Sequence, residues 1–185
     1  MTRIIAGVAG SLVLAVPGAG TRPTSDRVRE SLFGALEAAD VLDGATVLDL
    51  YAGSGALGLE AISRGAVVAD LVEKSAAAAA VTERNARAIA RAVPGATVHV
   101  HRSSADGFLR GAGRTYDVIF VDPPYDVDED ELGATLAAAA GVASDDALIV
   151  VERAARSPEP HSPEGFETQR SKRYGDTALW WLGRR

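Results

Sequence analysis

The sequence predicts an α/β fold, a mostly parallel twisted sheet with helices on both faces that ends in antiparallel strands at its carboxyl-terminal side. Three observations carry that expectation. From residue 43 onward, short β-branched apolar runs alternate with stretches of helical period, an order that calls for a parallel sheet with right-handed crossovers. The run Val118-Ile119-Phe120-Val121 is apolar without alternation, as a central strand covered on both faces requires. That run stops at Asp122-Pro123-Pro124, where two missing N–H groups end the ladder. The acid is thereby left at the strand's carboxyl edge, where open α/β sheets bind ligands.

Taken in order, residues 3–6 and 12–16 predict two short strands around a turn at Gly7 to Ser11. Arg3 and the apolar run behind it also resemble the charged and hydrophobic regions of a signal peptide, but Gly7, Gly10 and Ser11 interrupt the run and favour the hairpin. The run is too short to span a bilayer. A helix follows, capped by Thr24 or Ser25, with Asp26 and Glu30 in its first turns and Val28, Leu32, Ala35 and Leu36 on one face. Arg27 and Arg29 are expected on its surface. Strands are predicted at residues 46–50, 67–73, 97–102, 117–121 and 147–151, and helices at 56–64, 75–92, 105–110 and 129–140, with Gly65, Pro94-Gly95 and Gly141 where helices stop. After a proline-containing connection at residues 156–165, strands at 166–174 and 177–182 flank Gly175-Asp176, a hairpin signal. The domain division expected is a hairpin subdomain over residues 1–20 and a main domain over 21–185.

Composition narrows the function classes. The chain has 185 residues, 47% of them hydrophobic, enough for one substantial core. A net charge of −6 argues against coating nucleic acid by bulk electrostatics and leaves local basic patches as the alternative. Without cysteine there is no disulfide framework, thiolate metal site or cysteine nucleophile. His99, His101 and His161 do not form a metal-ligand pattern, and His99 and His101 read as partly exposed residues on one strand face, so no metal is expected.

Gly53-Ser54-Gly55-Ala56-Leu57-Gly58 is a G-x-G-x-x-G between a strand and a helix, and alone it fits a dinucleotide with Glu73 on the ribose. Asp49 separates the readings. An acid just ahead of the loop repels a pyrophosphate, whereas it suits a ligand with an amine and a ribose but no phosphates. S-adenosylmethionine is such a ligand. Gly53, Ser54 and Gly55 then let the backbone approach it, Asp49 takes its amine, Glu73 its ribose hydroxyls, and Ser104-Ala105 lie beside its adenine, although Ser104 also reads as a plain helix cap.

Asp122-Pro123-Pro124-Tyr125 supplies the chemistry expected opposite that cofactor. An exocyclic base amine is a poor nucleophile because its lone pair is delocalised into the ring. The Asp122 carboxylate and Pro123 carbonyl can accept its hydrogens and stabilise the positive charge that develops in attack. The prolines stiffen the loop, and Tyr125 offers a face on which a base can stack.

Together these residues resemble the class I S-adenosylmethionine-dependent amino-methyltransferases, whose fold is Rossmann-like. A closer resemblance, to the RsmD family, runs from residue 3 to about 182. It rests on Arg3-Ile4-Ile5-Ala6-Gly7, Thr21-Arg22-Pro23-Thr24, Arg27-Val28-Arg29-Glu30-Ser31-Leu32-Phe33, the loop from Ala52 to Gly58 with Leu59-Glu60-Ala61, Val121 to Tyr125, and Tyr174-Gly175-Asp176-Thr177. The resemblance implies an enzyme that methylates N2 of one guanine in 16S ribosomal RNA of the small subunit or its assembly intermediate. It also implies a cytoplasmic, monomeric protein without a membrane partner, and a small amino-terminal hairpin lobe. An adenine-N6 DNA methyltransferase is the alternative, since the same tetrapeptide serves that amine. Gly7 to Val16 lacks the basic residues common in this family's hairpin, so RNA contact is expected from Arg3, Arg22, Arg27, Arg29, Lys172 and Arg173, with Arg170, Arg184 and Arg185 nearby in sequence.

Overall fold

A computed structural model describes residues 2–18 and 25–185. The expected Thr24 cap, the Thr21-Arg22-Pro23-Thr24 motif and Arg22 as an RNA contact lie outside the described residues. The elements run β1 (Thr2–Arg3), β2 (Val13–Leu14), α1 (Asp26–Ala38), β3 (Thr46–Asp49), α2 (Ala56–Ser63), β4 (Val68–Val72), α3 (Ala76–Ala92), β5 (Thr97–His101), α4 (Ala105–Gly111), β6 (Tyr116–Val121), α5 (Glu129–Ala140), β7 (Ala143–Ala154), β8 (Phe166–Tyr174) and β9 (Thr177–Arg184).

Seven strands form one sheet in the order β5-β4-β3-β6-β7-β9-β8. The first five are parallel, and β9 and β8 add antiparallel. The chain builds outward from β3 to β5 and then returns to the other side of β3 with β6. The β3/β6 pair is therefore the topological switch point, the crevice where such sheets hold ligands. Asp49 ends β3, and Asp122 follows β6, so the two acids flank it.

Strand parity divides the core. Val47, Leu71, Phe120, Val150 and Leu179 face one layer with Leu32, Phe33, Leu36, Leu59, Ile62 and Ile89 of α1, α2 and α3. Leu48, Val72, Ile119, Val121, Ile149 and Val151 face the other with Leu109, Leu132 and Leu136 of α4 and α5. Continuous apolar strands are what coverage on both faces demands.

β7 is longer than residues 147–151 predict because its start follows β6. Tyr116 pairs with Ala143, and the register shifts before Val118 pairs with Leu148. Asp117 ties this edge together, accepting from the Thr46 N–H at 2.8 Å and from the Ser144 hydroxyl at 2.8 Å. Ser25, Ser75, Ser104 and Asp128 cap α1, α3, α4 and α5 with their side-chain oxygens.

The amino-terminal hairpin is shorter than expected, only Thr2–Arg3 against Val13–Leu14. Its backbone groups go elsewhere. The Ile5 and Ala6 N–H groups donate to the fully buried Glu60 carboxylate at 2.7 and 3.0 Å, and Ala15 gives its N–H to Asn85 Oδ1 and receives Asn85 Nδ2 on its carbonyl. Gly7, at φ +82°, presses so close to Ser63 that an added Cβ would stand 1.9 Å from its carbonyl oxygen.

The expectation that Arg29 lies on the surface is corrected. Its side chain is fully buried, donating to Thr2 Oγ1, the Arg3 carbonyl and Asp26 Oδ1, with Glu60 Oε2 3.8 Å away. Helical period places it beside Val28 and Leu32, and the buried Glu60, also paired with Arg64, supplies the opposite charge that burial requires.

Candidate active site

A cavity of about 970 Å³ opens at the carboxyl edge of β3 and β6, lined among others by Asp49, Gly53, Ser54, Glu73, Ser104, Ala105 and Asp122 to Tyr125. Residues 73 positions apart are thus brought to one wall by the parallel pairing of Asp49 with Phe120.

Asp49 is 1% exposed. Its Oδ2 accepts the Gly58 N–H at 3.1 Å, while Oδ1 has no hydrogen-bond partner among the described residues. Burial, opposed by the Gly58 N–H, assisted by the Glu73 charge and opposed again by the nearby Tyr51 N–H, pushes its carboxyl up to about 7. A buried carboxylate with an unused oxygen on a cavity wall suits an ammonium group, which relieves both the lost hydration and the missing partner.

The three glycines differ in purpose. A Cβ on Gly53, at φ +55°, would meet nothing within 4 Å, so a ligand can approach this backbone. Gly55 is absent from the cavity lining, and a Cβ there would lie 3.1–3.2 Å from Leu59, Leu71 and Thr82, so this residue turns the chain inward. Gly58 lets α2 pack on the sheet, since its Cβ would stand 2.2 Å from a Leu71 methyl. Glu73, just past β4, holds the loop, with Oε2 accepting the Gly53 N–H at 3.0 Å and Oε1 the Ser75 N–H at 2.7 Å. Each carboxylate oxygen keeps a further lone pair for a hydroxyl.

Ser104 accepts the Gly107 N–H at 3.1 Å, so the cap reading holds while the residue also lines the cavity. Beyond β6, Pro123 is buried and the Pro124 carbonyl accepts the Val127 N–H at 3.1 Å, a turn that fixes the loop. Tyr125 stands 60% exposed at the rim, outside the core.

Of the remaining basic candidates, Arg3, Arg27 and Lys172 lie along the first turns of α1. Exposed Arg3 lies 3.9 Å from Asp26, Arg27 is exposed beside it, and Lys172 Nζ reaches Ser31 Oγ at 3.4 Å over the Tyr174 ring. Arg173 is exposed next to Lys172 on edge strand β8.

Sequence reasoning missed several positioning residues. Asn85, 4% exposed on α3, donates to the carbonyls of both Ala15 and Ser54 at 2.8 Å and so ties the amino-terminal segment to the glycine loop. Thr82 Oγ1 donates to the Gly53 carbonyl at 2.6 Å. Both are ordinary polar residues on a helix whose apolar period hides them. His101 is not simply a half-exposed strand residue, because its Nε2 lies 2.7 Å from buried Asp70, which also accepts the Tyr116 hydroxyl at 2.8 Å. Val16, Pro17, Glu131, Thr135 and Glu152 line the cavity without having been anticipated.

Parallel strands with a reversed order at β3/β6, a terminal antiparallel pair and a glycine loop at the switch point define the class I S-adenosylmethionine-dependent methyltransferase fold. The magnesium protoporphyrin IX methyltransferase of Synechocystis PCC 6803, solved with bound S-adenosylmethionine, superposes at a TM-score of 0.67 over 90% of this chain and 87% of that one, and at 17% identity the likeness is one of fold. Within that class the chain belongs to the RsmD family, described as conserved hypothetical protein 95, whose pattern matches residues 2–183. It is 40% identical over 177 residues, 95% of this chain and 86% of the relative, to ribosomal RNA small subunit methyltransferase D of Escherichia coli strain K12. The solved "Putative methyltransferase yhhF" of Escherichia coli matches with a TM-score of 0.85 and 34% identity over 99% of this chain and 97% of that one.

Proposed function

We propose that this chain transfers the methyl group of S-adenosylmethionine to the exocyclic N2 of a guanine in 16S ribosomal RNA. One observation carries the reading. A buried Asp49 with an unpartnered oxygen and the Asp122-Pro123-Pro124-Tyr125 turn face a single cavity from adjacent strands. The 40% identical relative, named for ribosomal RNA small subunit methylation, supports the RNA over a DNA adenine as substrate.

When bound, the cofactor supplies a methyl group already activated by a sulfonium. The chain's residues bind, orient and stabilise. Asp49 takes the amine, Gly53 and Ser54 admit the methionine end with Gly55 setting the turn, Glu73 accepts from the ribose, and Ser104-Ala105 border the adenine. Asp122 and the Pro123 carbonyl accept the hydrogens of the target amine and stabilise positive charge at N2 as the N–CH3 bond forms and the S–CH3 bond breaks, leaving a neutral thioether. Asp122 accepts the proton that N2 then loses. Tyr125 stacks the base, which must be unpaired or flipped to reach this depth.

Arg3, Arg27, Lys172 and Arg173 are the RNA contacts, joined by Arg22. So few charges give salt-sensitive binding of modest strength, which suits a substrate presented on the small subunit or its assembly intermediate. Residues 1–20 serve as a hairpin lobe beside the methyltransferase domain of residues 21–185. The protein acts in the cytoplasm as a monomer. No helix among the described residues is long and apolar enough to cross a membrane. Labelled S-adenosylmethionine and unmodified small subunits test the reading. Label at a guanine N2 is expected, and absence of transfer to subunits or free RNA would overturn it.

A further inference from the structure

Glu152 occupies the position on the sheet next to the catalytic turn. Val121 pairs with Val151 in parallel register, so the following residues, Asp122 and Glu152, stand side by side where β6 ends and β7 continues. Both line the cavity. Unlike Asp126 and Glu131, which are exposed in the turn and on the first turn of α5, Glu152 is half-buried on a central strand. Its backbone is held by β9 through the pairing with Leu179. The sheet thereby sets the direction in which this side chain leaves the backbone.

We propose that Glu152 is the specificity-determining residue for guanine, its carboxylate accepting the N1–H while Asp122 accepts the 2-amino group. This rests on the methyltransferase reading above and names what selects the base. The edge of guanine that carries N2 presents donors only at these two positions, N1–H and the 2-amino hydrogens. The corresponding edge of adenine presents a donor at N6 and a lone pair at N1. Adjacent carboxylate oxygens accept from both donors of the first edge and set an oxygen against a lone pair in the second. A site built to bind a substrate N–H discriminates strongly against an analogue lacking it, because its own polar group is then left unpaired. The hydrogen bond from N1–H also shifts electron density toward N2, so the contact raises nucleophilicity as well as selecting the base. Among the described residues lining the cavity the cation is Lys74, beside Glu73 at the cofactor end, so the base end is rich in acceptors.

The experiment uses small subunits reconstituted with 16S RNA carrying either guanine or 2-aminopurine at the acceptor position. The analogue keeps the 2-amino group but has a lone pair in place of N1–H. The parent protein is expected to methylate guanine at least about 100-fold faster than 2-aminopurine in single turnover. Glu152→Gln, whose amide oxygen still accepts from N1–H without the charge and whose NH2 can donate to that lone pair, should lose about tenfold on guanine and lose nothing on 2-aminopurine, narrowing the ratio. Its affinity for S-adenosylmethionine by calorimetry should match the parent's, showing that the fold and cofactor site are intact. An unchanged guanine to 2-aminopurine ratio in Glu152→Gln, or equal rates on both substrates in the parent, overturns the role of Glu152 and leaves the methyltransferase reading standing. No transfer to guanine by the parent overturns both.

Discussion

Replacing Asp49 by asparagine tests the cofactor site most directly, because stability and affinity should move in opposite directions. The carboxyl is held at about 7 against 3.8 for the free group, chiefly by burial. At 1.36 kcal/mol per pH unit that difference amounts to about 4 kcal/mol. The folded state keeps this proton up to about pH 7 while the unfolded state loses it near 3.8, so the parent's stability falls as pH rises between these values and is level above them. Asp49→Asn keeps an oxygen for the Gly58 N–H and lacks the titration. After about 1–2 kcal/mol for a buried amide hydrogen without an acceptor, it should be more stable than the parent by about 2–3 kcal/mol at pH 8, an advantage that disappears at pH 4. Urea unfolding at the two pH values measures this. The variant should bind S-adenosylmethionine about 10- to 100-fold more weakly at pH 8, the loss of a charge-assisted hydrogen bond. In calorimetry the parent's affinity should decline about tenfold per pH unit below its carboxyl pKa, since ionised Asp49 is the binding form, while the variant's stays flat. Equal cofactor affinity in the two proteins, or a pH-independent difference in stability, would refute the reasoning.

Asp122→Ala should keep cofactor affinity and lose about 100- to 1,000-fold in turnover, the usual cost of removing one preorganised group facing developing charge, measured by methyl transfer to small subunits. Arg29→Ala should destabilise the fold by about 3–5 kcal/mol in urea unfolding, because it leaves the buried Glu60 with one partner fewer. Lys172→Ala should leave stability nearly unchanged while reducing the slope of RNA affinity against salt by about one charge, and a reversal of those two behaviours would restore Arg29 as an RNA contact. Asn85→Ala removes three hydrogen bonds joining Ala15, α3 and the glycine loop, so amide exchange at residues 13–17 should accelerate at least about tenfold while exchange in β6 is unaffected.

The sheet and the residues proposed for its edge are legible in the sequence. Strand positions were legible because burial on both faces forces unbroken apolar runs, and helix ends because glycine, proline and capping side chains act within a few residues. Asp49, Glu73 and the Asp-Pro-Pro-Tyr turn could be picked out for the same reason, each being punctuated by its own neighbours. What depended on partners far along the chain was not legible. Arg29 reads as a surface arginine until Glu60 is brought against it, and the hairpin strands read as longer until Glu60 and Asn85, 55 and 70 positions away from their partners, take the backbone groups a ladder would have used. Glu152 lies in an apolar strand pattern with nothing local to mark it, and only the β6/β7 register sets it beside Asp122. Local stereochemistry writes turns and strands into the sequence. Which polar groups meet is decided by chain packing, because a buried charge or backbone N–H takes whichever partner the fold delivers to it.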